Sequence, residues 1–151
     1  IFQDTTYEEL VKKMSKLGGK LILDALKLLE EKKAVFIEQD ESRASYAKKI
    51  EKFECKINWN KKANEVIAKI NALNSNLGSW FEINGNRVKI LEAKEVKNKK
   101  GEPGTLLDEN FTIACSNNAV QILKLKKEGK QQITAKEFLR GNKIKIGQLL
   151  N

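Results

Sequence analysis

The sequence predicts an α+β, mainly β chain: a small OB-like Greek-key barrel preceded by a helix and an ordered linker. Three observations carry this. Apolar residues recur every three or four positions from Leu10 to Leu28, the spacing of a helix face. After Asn74 the period shortens to two, the spacing of a strand with one buried side. Two short turn sequences, Asn84-Gly85-Asn86 and Ser116-Asn117-Asn118, then separate pairs of strand-like segments.

Taken in order, Thr5 and Thr6 precede Glu8 and Glu9, an arrangement that caps a helix start. Leu10, Met14, Leu17, Leu21, Ala25 and Leu28 form one stripe, and the helix is expected to run to about Lys32. Gly18-Gly19 interrupts it at a cost of up to about 1 kcal/mol each, which close packing against another backbone would explain. Val35-Phe36-Ile37 reads as extended. Glu38 to Asn58 is polar and Lys-rich, an ordered linker with Tyr46, Ile50 and Phe53 as spaced anchors. Asn60 is placed to cap a second helix carrying Ala63, Val66, Ile67, Ile70 and Leu73 on one face. Strands are expected over 79–83, 87–96, 111–115 and 119–127, with a loop through KKGEPG. Thr134 to Gly141 reads as a short helix ended by its glycine, and Lys143–Ile146 as a last strand.

Composition narrows the chemistry. The 151 residues contain no histidine, which removes Ser-His and Cys-His nucleophile pairs, HExxH and an imidazole base. Cys55 and Cys115 are the only cysteines; without histidine they make no usual zinc site and read as free reduced thiols. The adjacent carboxylates Glu8-Glu9, Glu30-Glu31 and Asp108-Glu109 read as solvated surface, so no catalytic residue, cofactor site or metal site is assigned. No apolar run reaches the length of a membrane span and no signal-peptide layout opens the chain, so a cytoplasmic protein without a membrane partner is expected.

The net charge is +9, and it is unevenly spread: residues 1–47 carry −1 and residues 48–151 carry +10. A basic surface attracts polyanions by releasing their condensed counterions. Codon bias toward Lys, Asn and Ile would raise both halves, so the asymmetry is the stronger pointer to nucleic acid. The candidate contacts are the linker cations Lys48, Lys49 and Lys52, with Lys56 at the same spacing, and the strand pairs Arg87/Lys89 and Lys124/Lys126. Period two puts each strand pair on one face. Trp80, Phe81, Phe111 and Phe138 sit within apolar patterns and read as core rather than as stacking platforms for bases.

The order of landmarks carries a resemblance. DTTYEEL, KMSKLGGKLILDAL, a Gln39-Asp40 step, YAKKI, Ile57-Asn58-Trp59, INALN, NGNRVKILEA, Pro103-Gly104-Thr105 and ITAKEFLRGNKIKIGQLL together resemble the methionyl-tRNA formyltransferases, over the C-terminal part of that family. The resemblance implies transfer of a formyl group from 10-formyltetrahydrofolate to methionine on initiator tRNA. It places the catalytic Asn, His and Asp and the folate pocket in an N-terminal catalytic domain of the same polypeptide, preceding Ile1. Residues 1–38 would then be the helical tail of that domain, 39–58 the basic interdomain linker and 59–151 the C-terminal OB-like barrel domain. This chain alone would be inactive and bind no cofactor, and the whole would act as a monomer.

In that family the linker and barrel offer a positive channel to the tRNA. This carries over to Lys49 of YAKKI and, with less support, to Lys52; Lys89, Lys124 and Lys126 follow from strand position only. Departures are Asn71 where arginine is common, Ser75, Asn76 and Leu77 in place of Pro-Trp-Pro, and Lys48 at a position often held by proline. The alternatives are the C-terminal region of a folate-dependent sugar-nucleotide formyltransferase and a stand-alone nucleic-acid-binding barrel.

Overall fold

The computed structural model describes every residue except Gln3, Ser75, Asn76 and Asn151. Helix α1 spans Tyr7–Glu30. Thr6 Oγ1 accepts from the Glu9 backbone N–H and the Glu9 carboxylate accepts from the Thr6 N–H, the expected capping box. No residue of α1 is buried, and Leu17, Leu21 and Leu26 are all more than half exposed. A Cβ added at Gly18 or Gly19 would meet nothing, so the expected close packing is not made among the described residues.

The remainder is built on one antiparallel sheet. Its strands are β1 (Ser79–Ile83), β2 (Asn86–Val96), β3 (Thr112–Ala114), β4 (Ala119–Lys127) and β5 (Gln132–Thr134). The order is β1-β2-β4-β3, and β5 pairs with the other end of β4. The sheet is open: among the described residues no pairing joins β1 to β3 or β5, so the architecture is α+β and the closed barrel is not seen. One reason is that the linker takes up the free edge of β1. Lys56 forms a parallel bridge with Trp80, and the Ile57 N–H donates to the Trp80 carbonyl at 2.7 Å.

Helices α2 (Ala63–Leu73) and α3 (Ala135–Gly141) cover the inner face. Ala63, Val66, Ile67, Ile70 and Leu73 are buried, as their spacing predicts. The cap differs from expectation. Lys62, not Asn60, is the N-cap, and Glu65 reaches back to its N–H. Asn60 is held one turn earlier, donating its own N–H to Asn58 Oδ1. The short helix expected over Thr134 to Gly141 forms, opened by a Thr134–Glu137 capping box that the sequence reading did not single out; Gly141 is its last residue and Asn142, not the glycine, is the C-cap.

Four aromatic rings run through the core. Trp59 meets Phe81 edge-on at 5.9 Å, Phe81 meets Phe111 at 6.2 Å, and Phe111 stacks on Phe138 at 5.6 Å. Phe111 reaches its place with φ of 59°, a region that non-glycine residues avoid. Its ring is wholly buried, and that burial outweighs the local backbone cost. Gly104 (φ 90°) answers a different demand. A Cβ there would lie 2.9 Å from the Leu150 carbonyl, so only glycine lets the C-terminal segment cross and donate the Leu150 N–H to the Gly104 carbonyl.

Two further expectations fail. Lys143–Ile146 forms no strand; the segment is irregular, and the chain's last ladder contact is a single bridge between Thr105 and Leu149. Conversely, Gln132–Thr134 is strand β5, hidden in the sequence because it runs straight into the capping threonine of α3. The linker anchors are also not anchors. Tyr46 is 91% exposed, Phe53 75% and Ile50 44%. No helix among the described residues is long and apolar enough to cross a membrane.

Candidate nucleic-acid interface

Along β2 and β4, Val88, Ile90 and Leu125 are buried, and the cations Arg87, Lys89, Lys124 and Lys126 alternate with them on the outer face. The hairpin register puts Trp80 opposite Lys89 and Glu82 opposite Arg87. The next pairing puts Lys89 opposite Lys126, and the one beyond puts Lys126 opposite Gln132. A single row therefore crosses four strands: Trp80, Lys89, Lys126, Gln132.

Register shifts on either side of Glu92 place that carboxylate opposite Lys124. The ion pair there is 2.6 Å long, with both side chains about half exposed. Lys124 is therefore partly neutralised, whereas no carboxylate lies within ion-pair distance of Lys89 or Lys126 among the described residues.

Lys89, Lys124 and Lys126 line one groove of about 760 Å³, joined by Lys127. Lys127 points the other way in part: its ammonium donates to Asn142 Oδ1 at 2.7 Å and lies over the Phe138 ring. Three carboxylates, Glu8, Glu92 and Glu128, also line the groove, and only Glu92 is paired with one of its lysines. Gly78 shapes this surface. A Cβ at that position would sit 2.8 Å from Lys89 Cδ, so the lysine stem runs directly over the glycine.

Lys89 also lines a smaller cavity of about 180 Å³ with Lys52 and Arg87. The Arg87 guanidinium lies 4.3 Å from the centroid of the Trp80 ring. The Trp80 Nε1–H donates to the Lys52 carbonyl at 3.1 Å, which pins the linker turn Lys52–Cys55 to β1. Lys56 is tied down separately by Glu82 at 3.0 Å. Its carbonyl accepts from the Lys69 ammonium at 2.8 Å.

Five of the seven predicted contacts thus share one continuous surface: Lys52, Arg87, Lys89, Lys124 and Lys126. Lys48 and Lys49 are exposed on the linker and line neither cavity. Sequence reasoning missed Gln132 and the organising part played by Trp80. The hairpin register, countable outward from Asn84-Gly85, was the signal for Trp80; β5 left none. Ser75 and Asn76 of the departing loop lie outside the described residues.

The thiols take no part in this surface. Cys55 is buried and donates weakly to the Glu51 carbonyl at 3.6 Å. Burial, with help from the Glu95 charge, pushes the Cys115 thiol up to about 12, which keeps it protonated and unreactive.

Comparison with known proteins agrees with this architecture. The family described as formyl transferase, C-terminal domain, matches residues 49–143, and the chain belongs to it. Within that class the similar curated proteins are methionyl-tRNA formyltransferases, as the sequence landmarks suggest. That of Rhodopseudomonas palustris is 41% identical over 143 residues, covering 92% of this chain and 46% of the relative. That of Parvibaculum lavamentivorans is 40% identical over 154 residues, covering 98% and 49%. The chain spans about half the length of the curated relatives it matches, and it corresponds to their C-terminal part.

Among solved structures, a variant of HypX from Aquifex aeolicus matches with a TM-score of 0.62 at 24% identity, over 80% of this chain and 23% of that one. HypX from the same organism in complex with tetrahydrofolic acid matches equally well, over 22% of its length. At this identity the likeness shows the fold alone.

Proposed function

We propose that this chain is the tRNA-docking portion of a methionyl-tRNA formyltransferase. The complete enzyme formylates methionine on initiator tRNA with 10-formyltetrahydrofolate as donor, acting as a cytoplasmic monomer in translation initiation. In this reading the catalytic groups and the folate pocket belong to the N-terminal domain. The observation that carries the docking role is the unpaired Lys89–Lys126 couple on the outer face, continuous with Arg87 and Lys52.

The physical task is positioning. Cations along the sheet and linker neutralise backbone phosphates, release counterions and fix the register of the RNA without reading its sequence. Choice of the initiator tRNA is left to the N-terminal domain. Lys48 and Lys49, exposed on the linker, extend the cationic track toward that domain. The stripe of α1, exposed in this chain, supports residues 1–38 as the domain's helical tail, because so long an apolar face needs a covering partner.

Kinetics of formyl transfer by the intact enzyme test this. The Lys89→Ala/Lys126→Ala variant should raise KM for methionyl-tRNA by at least about tenfold, near 1.4 kcal/mol of binding, while leaving kcat within about twofold. An unchanged KM would remove the outer face from tRNA docking. A variant Lys49→Ala should behave in the same direction with no change in Tm, since its side chain supports nothing in the fold.

A further inference from the structure

The cavity between the linker turn and the β1–β2 hairpin has properties that general attraction to RNA does not require. Several other cations of this face are already engaged: Lys56 with Glu82 and, in the neighbouring groove, Lys124 with Glu92 and Lys127 with Asn142. The three that line the cavity, Lys52, Arg87 and Lys89, make no side-chain hydrogen bond or ion pair among the described residues. They converge on about 180 Å³, with one carboxylate, Glu128, among the lining groups. A cavity of this size has room for one phosphate with a few waters. Three cations against one anion in a concave, partly apolar wall concentrate positive potential there.

Trp80 organises the three. Its indole N–H holds the Lys52 carbonyl, its ring carries the Arg87 guanidinium, and Lys89 stands opposite it in the hairpin. With its carbon 4.3 Å from the indole centroid and no hydrogen bond made among the described residues, the Arg87 guanidinium keeps its N–H groups for an acceptor, which suits an oxyanion. Gly78 leaves the room that the Lys89 stem occupies, since a Cβ there would lie 2.8 Å from Lys89 Cδ.

We infer that this cavity is an oxyanion site that takes a single phosphate group, and that the bound phosphate fastens the linker to the sheet. Lys52 comes from the linker and Arg87 and Lys89 from β2, so one anion bridges the two segments. The source is either a backbone phosphate of RNA or a free phosphate; only the first alternative rests on the docking function proposed above.

The indole N–H of Trp80 reports directly on occupancy, because it lies between Lys52 and Arg87, and Trp59 serves as the internal control. In the ¹⁵N-labelled intact protein, with the two signals assigned by Trp→Phe variants, inorganic phosphate and then tRNA are titrated. The expected result is a saturable shift of the Trp80 signal with both, no shift of Trp59, and displacement of phosphate by tRNA. Arg87→Gln and Lys52→Gln, both exposed and so expected to fold, should each weaken the response about tenfold or more. A phosphate response without competition by tRNA supports the site with a free phosphate as its occupant, and withdraws this cavity from RNA docking. A tRNA response that needs Arg87 and Lys52, without one to free phosphate, supports the site with the phosphodiester as occupant. A Trp80 signal that moves with neither, or variants that respond like the native protein, overturn the inference.

Discussion

Lys89 on β2 and Lys126 on β4 stand directly opposite each other on the outer face of the sheet, with no carboxylate between them. Like charges in cross-strand register cost stability, and the neighbouring couple, Glu92 with Lys124, shows that the same two strands accommodate an ion pair. The sheet therefore carries an electrostatic penalty at one position that it avoids at the next. A polyanion on this face would relieve it.

Lys126→Glu converts the repelling couple into an attracting one. It should stabilise the free protein by about 0.2–1 kcal/mol, read as a small rise in Tm at low salt. The same variant should lower tRNA affinity more than Lys126→Ala does. Destabilisation together with unchanged binding would show that Lys126 has a structural partner and no role in docking.

Lys124 and Lys89 should not be equivalent, although both sit on the same face. Because Glu92 holds Lys124, Lys124→Ala should weaken tRNA binding less than Lys89→Ala. Glu92→Gln should strengthen it by releasing the ammonium and removing a repelling charge. Equal losses for the two lysines, or weaker binding by Glu92→Gln, would mean that the ion pair opens at no cost when RNA arrives.

Gly78→Ala tests whether backbone shape sets the position of a cation. The new Cβ would force Lys89 Cδ aside, and φ of 71° strains any L-residue there. We expect a loss of about 1 kcal/mol in stability, by analogy with other glycines at positive φ, and a loss of tRNA affinity close to that of Lys89→Ala. Combining the two substitutions should then add little further loss of affinity. Full additivity would separate the glycine from the lysine.

Asp108 supplies a pH signature independent of RNA. Burial raises its carboxyl, but hydrogen bonds from the Lys99 ammonium, Thr112 and the Asn110 N–H outweigh this and hold it below its usual value. A carboxyl lowered in the folded state adds stability above its unfolded pKa, near 4, and loses it as pH falls through the folded value. Asp108→Asn should therefore cost stability at pH 7 and flatten its decline below about pH 4. Chemical denaturation across that range measures both, and a decline as steep as in the native protein would assign it to other carboxylates.

Much of this fold was legible because local rules and burial agreed. Thr6–Glu9 caps α1 as its spacing dictates, the apolar spacing of α2 is buried as read, and Asn84-Gly85 fixes the β1–β2 register. What was illegible depended on tertiary pairing. Asn60 has good capping chemistry, yet Asn58 captures its N–H and Lys62 takes the cap. Gln132–Thr134 has no strand pattern apart from the free end of β4 that it pairs with. The candidate site divides along the same line: alternation revealed which lysines share a face, and only the bulge at Glu92 revealed which of them is already neutralised.

The salt dependence of tRNA affinity in the intact enzyme bears most directly on the account. Affinity should fall with log salt by roughly 0.7–0.9 per phosphate contacted. Removing Lys89 and Lys126 together should reduce that slope by about one to two phosphate contacts, whereas Lys124→Ala should change it less. A slope that stays the same when both lysines are gone would contradict the claim that this face of the sheet holds the RNA backbone.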